Sequence, residues 1–81
     1  MTERIEQAVQ VALARQLRLD VSSLVKRADE GLDRLGLDSF GLMRVLLDIE
    51  KSLDLKQPLE LPDAALATPA TLVAGVVAAL G

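Results

Sequence analysis

From Thr2 to about Arg18 the apolar residues Ile5, Ala8, Val9, Ala12, Leu13 and Leu17 follow one another at three- and four-residue steps. That spacing gathers side chains on one face of an α-helix. The period returns between Ser39 and Leu53, where Leu42, Leu46, Ile49 and Leu53 form a stripe with Arg44, Asp48 and Lys51 on the opposite side. It appears a third time up to Leu80, with Leu72, Val76, Ala79 and Leu80 as the buried face. The chain is therefore expected to be all-α, a small four-helix bundle of three main helices plus a short third helix. At 81 residues there is room for one domain, spanning 1–81, with a thin core.

Punctuation supports these limits. Thr2 is placed to cap the first helix, with Glu3 and Glu6 in its first turn and Arg15 and Arg18 in its last, the charge order the helix dipole favours. Thr68-Pro69 reads as a cap followed by proline at the first helical position. Gly75, on the buried face of that last helix, lowers intrinsic helix stability and permits close approach of a neighbour. Residues 19–38 show no sustained period and read as a long ordered loop with room for one short helical turn. Its Leu24, Val25, Leu32, Leu35 and Leu37 are too many apolar residues for a segment wholly in water, so the loop should lie across the bundle. Residues 54–68, with Pro58 and Pro62, make a connection in which one or two helical turns can follow Pro62.

Composition narrows function. With no cysteine and no histidine the chain lacks a thiol, the usual general base and the commonest zinc ligand. No acid/base pair stands at helical spacing to replace them, which makes an enzyme the weakest reading. The net charge is −3 with a single aromatic, Phe40, so neither the basic footprint nor the stacking platform of a nucleic-acid binder is present. The apolar tail LVAGVVAALG is about half of a membrane span, and MTERIEQAV lacks the apolar core of a secretory signal. A soluble, monomeric, cytoplasmic protein is expected.

One stretch stands out, RLGLDSFGLMRVL, residues 34–46. Asp38 and Ser39 are both favoured helix caps, and either would satisfy orphan amides at the start of the second main helix. On that reading alone the chain is a small helical interaction module. The same helix start is also a natural seat for a phosphate, because free amides and the positive end of the dipole converge there. A serine hydroxyl at that point is well placed to carry a phosphodiester.

Together with ADEGLDRLGLDS before it and LDIEKSLDL after it, this stretch resembles the carrier-protein family of fatty-acid, polyketide and nonribosomal peptide synthesis. The family's central motif is leucine and glycine, a variable residue, then Asp-Ser and a hydrophobic residue. Leu35, Gly36, Asp38, Ser39 and Phe40 fill those places in order, and the order of helices agrees over the whole chain. The resemblance implies a carrier-protein-like bundle in which Ser39 receives 4'-phosphopantetheine from coenzyme A through a separate phosphopantetheinyl transferase. Asp38 would then both cap the helix and help the transferase position magnesium and coenzyme A. The chain would be a substrate and shuttle rather than a catalyst. An adenylating or acyltransferase enzyme would load acyl or aminoacyl cargo as a thioester on the arm, and tailoring or condensing enzymes would consume it. Because Met1 starts on the first helix and Gly81 follows the last, a discrete carrier is expected.

Partner contacts are expected beside the serine. Burial tendency favours Phe40 as a core or partial-core residue. Its exposed parts, with Met43 and Leu47 from a surplus apolar row, would form a docking patch. Fatty-acid carriers tend to place acids on the exposed early part of this helix, where their enzymes offer a basic patch. Here Gly41 and Arg44 stand there, and Asp48, Glu50 and Asp54 come later. Arg44 therefore points to a specialised pathway, unless it merely pairs with Asp48 one turn on. Polyketide cargo suits LGLDS, while the many short apolar residues and Arg44 are equally at home in peptidyl or D-alanyl-type carriers.

Overall fold

The computed structural model describes residues 2–80. Four α-helices and one 3-10 turn follow in order: α1 Thr2–Leu17, α2 Val21–Lys26, α3 Ser39–Ser52, η1 Asp63–Leu66 and α4 Pro69–Leu80. The expected all-α bundle is therefore present, and η1 is the short helix anticipated after Pro62. The short helical turn for which residues 19–38 have room is also present. Part of what reads as loop in the sequence is a helix, α2, whose Leu24 is fully buried among the other helices.

α1 is the element on which α2, α3 and α4 converge, while η1 packs on α4. Val9 and Leu13 of α1, Val45 and Ile49 of α3, and Leu72 and Val76 of α4 are all fully inaccessible. Each contributes about 1.5–3 kcal/mol of burial free energy. The α3 stripe is turned from its expected phase. Val45 and Ile49 are buried, whereas Leu42, Leu46 and Leu53 are half-buried at its edge. Gly41 is the reason. It is buried, not exposed, and a Cβ there would come 2.9 Å from Leu37 Cδ1 and 3.3 Å from Gln16 Nε2 of α1. The missing side chain lets that face of α3 sit against α1.

Both long helices before a loop end in the same way. Arg18 (φ 59°) and Asp54 (φ 52°) adopt the left-handed conformation. Leu19 N–H donates to Ala14 C=O at 2.9 Å and Leu55 N–H to Glu50 C=O at 2.9 Å, closing Schellman motifs. Arg18 thus lies just beyond α1 rather than in its last turn. Likewise Thr2 is itself helical, so it does not cap α1.

The start of α4 follows its sequence signal. Thr68 Oγ1 accepts from Thr71 N–H at 3.1 Å, Thr71 Oγ1 accepts from Thr68 N–H at 2.9 Å, and Pro69 occupies the first helical position. This reciprocal pair is a capping box built from two threonines. Gly75 makes the close approach expected of it, since a Cβ there would lie 2.6 Å from Ala65 Cβ of η1.

The loop before α3 is fixed from both sides. Leu32 is buried, Leu35 and Leu37 pack at the core's edge, and Val25 is exposed. Leu32 N–H donates to Ala67 C=O at 2.9 Å, and Ala70 N–H donates to Ala28 C=O at 3.0 Å. Arg27 grips Glu30 with a two-pronged contact, Nε to Oε2 at 2.8 Å and an Nη to Oε1 at 3.1 Å. That guanidinium hydrogen bond lowers the Glu30 carboxyl below its ordinary value. Among the described residues no helix is long and apolar enough to cross a membrane.

Candidate functional site

Gly36 (φ 97°) turns the chain where few other residues fit, and Leu37 N–H returns to Leu32 C=O at 3.0 Å. This turn delivers Asp38 to the N-cap of α3 with extended backbone. Its Oδ1 accepts from Gly41 N–H at 2.7 Å, while its C=O accepts from Leu42 N–H at 2.9 Å. Capping by Asp38 is therefore real. Ser39 is the first residue of α3 and is exposed.

A helix start leaves four amides without intrahelical acceptors. At α3 the cap takes up only that of Gly41, so the amides of Asp38, Ser39 and Phe40 remain open, the last two beside the serine hydroxyl. At α4 the count closes: Pro69 has no N–H, Ala28 receives Ala70, and Thr68 receives Thr71. The open amides and the dipole favour negative charge at Ser39. A phosphodiester on its Oγ fits this end of the helix.

A cleft of about 510 Å³ opens next to Ser39. Leu32, Leu37 and Leu42 line it together with Leu66, Ala67 and Thr68. Local sequence gave no signal for Leu66 or Thr68 here, because they arrive from the η1–α4 junction. A second hollow of about 590 Å³ lies between residues 55–60 and the end of α4. It is at the far end of α3 from the serine and holds no hydroxyl side chain.

Phe40 departs from its burial tendency: it is 77% exposed, with Met43 at 59% and Leu47 at 50%. The reason is the phase of α3. With Gly41, Val45 and Ile49 inward, positions 40, 43 and 47 must point outward. Arg44 is exposed beside them. The only ion pair among the described residues is Arg27–Glu30, so Arg44 does not pair with Asp48. The four residues expected to meet partners therefore share one outward ridge that begins one residue after Ser39.

The described residues hold no cluster of metal-ligating side chains. Asp38 supplies one carboxylate, already engaged through Oδ1, so a metal used here would need its other ligands from elsewhere. A family model described as phosphopantetheine attachment site matches residues 7–76, most of the chain. Searches of curated proteins and of solved structures returned no match.

Proposed function

We propose, since this chain belongs to the family of phosphopantetheine-bearing carrier proteins, that Ser39 is its attachment residue and that it serves a specialised biosynthetic pathway. Members of that family carry 4'-phosphopantetheine covalently and are carriers rather than catalysts. A phosphopantetheinyl transferase supplies the arm. In that reaction Ser39 Oγ gives up its proton and bonds to the phosphorus of coenzyme A that bears the pantetheine, while the pyrophosphate bond breaks and adenosine 3',5'-bisphosphate leaves. Once attached, the arm supplies the thiol this chain lacks, on which acyl or aminoacyl cargo is held as a thioester.

The observation that carries the reading is the exposed serine at a helix start whose Ser39 and Phe40 amides remain open. Those amides and the α3 dipole favour the phosphodiester once made. Asp38 holds the helix start in place with Oδ1 and keeps a second carboxylate oxygen for the transferase's magnesium. Phe40, Met43, Arg44 and Leu47 form the surface that partner enzymes meet. Loading by an adenylating enzyme or an acyltransferase, in the cytoplasm and on a monomeric carrier, fits polyketide or nonribosomal peptide assembly and antibiotic-type products.

The test is intact mass after incubation with coenzyme A and a broad-specificity transferase, for wild type and Ser39→Ala. Wild type should gain one phosphopantetheine and the variant none. An unmodified wild type with a transferase proven on another carrier, or a gain that survives Ser39→Ala, would remove Ser39 from this role.

A further inference from the structure

The outward ridge of α3 carries a charge of definite sign. From Ser39 through Leu47 the helix contains one charged residue, Arg44, which is exposed and unpaired among the described residues. Lys51, also exposed, continues the same side two turns on. The row Phe40, Arg44, Leu47, Lys51 follows steps of four, three and four residues, so it is one ridge of about 16 Å at 1.5 Å per residue. Apolar and basic side chains alternate along it.

The acids of this region are placed elsewhere. Asp38 lies before the ridge with Oδ1 on the cap, and Glu50 Oε2 accepts from Leu59 N–H at 3.0 Å, holding the connection after α3. Asp48, one turn from Arg44, is half-buried and makes no ion pair with it, and Asp54 lies beyond the helix in its left-handed cap. A chain with net charge −3 thus offers a positive, apolar surface next to Ser39.

We infer that the enzymes acting on Ser39 meet this ridge with an apolar groove bordered by carboxylates, one of which faces Arg44. The inference rests on Ser39 being the attachment residue and adds the sign of the partner. Burial of Phe40, Met43 and Leu47 supplies contact area, while the charge selects among partners and speeds encounter. An anionic membrane is the poorer occupant. Two cations give about 1 kcal/mol each at such a surface, and the net negative charge of the whole chain opposes approach.

The test is a charge swap. One probe is a phosphopantetheinyl transferase whose carrier-docking face is basic; the other is the same enzyme with those basic residues changed to glutamate. Each is assayed for kcat/KM of arm transfer on wild type, Arg44→Gln and Arg44→Glu/Lys51→Glu, with circular dichroism confirming that every carrier is folded. Wild type should prefer the acidic enzyme and the doubly reversed carrier the basic one. The crossed ratio should be about tenfold at low salt. It should collapse at ~1 M salt, where the screening length is ~3 Å. Arg44→Gln should fall between. Modification at rates that rank both enzymes identically for all three carriers overturns the inference while leaving Ser39 in place. No modification in any combination removes the attachment reading itself. Cosedimentation of wild type with phosphatidylserine vesicles, abolished by the double reversal, assigns the ridge to lipid and overturns the proposed partner.

Discussion

Asp38 caps α3, and a pair of substitutions separates that role from the one proposed for it in arm transfer. Its Oδ1 accepts from Gly41 N–H at 2.7 Å and sits at the positive end of α3. Asp38→Ala removes the acceptor and the charge, and loss of such a cap costs about 1 kcal/mol, within a range of roughly 0.5–2. In a domain of this size that lowers Tm by about 4–8 °C. Asp38→Asn keeps an amide oxygen for Gly41 and forfeits only the charge–dipole attraction, about 0.3–1 kcal/mol. Thermal melts should therefore rank wild type, Asn and Ala in that order. Arm transfer should rank them differently: both variants lose the free carboxylate oxygen, so both should be slowed, the stable Asn variant nearly as much as the Ala. If Asp38→Asn is modified at the wild-type rate, the carboxylate has no part in the transfer and Asp38 is a cap alone.

Two further outcomes follow from the backbone and from one ion pair. Arg18→Gly should stabilise the protein by up to about 1 kcal/mol, because relief of a left-handed side chain, roughly 1–2 kcal/mol, exceeds the added chain entropy of glycine. Asp54→Gly should gain less, since aspartate tolerates that conformation better, and urea midpoints rank the two. Glu30 tests the loop's pH response. Its folded carboxyl is lowered by Arg27, so its contribution is complete above the ordinary glutamate value and is lost as pH falls through the lowered one. The stability gap between wild type and Glu30→Gln should shrink on acidification across that window, read by urea melts at stepped pH.

Features set by a few adjacent residues were readable from the chain. Asp38 and Thr68 cap as their neighbours imply, and α3 and α4 start where those caps place them. Features set by packing were not. α2 spans six residues with two serines and two valines, too short for a period to show, and it exists because Leu24 has a core to enter. The phase of α3 was ambiguous because leucines occupy several of its rows. Contact with α1 chose the face containing Gly41 and Val45, and that choice turned Phe40 outward. Around Ser39 the helix start was legible, but the whole lining of its cleft was not, since Leu66 and Thr68 are brought there by the fold.

The backbone bonds Ala70 to Ala28 and Leu32 to Ala67 close a ring through the chain, and α3 lies inside it. Ring closure between positions so far apart in sequence costs entropy that local helix formation does not recover. The loop that presents Ser39 is therefore anchored to the start of α4, whose first turn receives it. A chain truncated before α4 would retain the whole Asp-Ser motif and still lack the closed ring that shapes it.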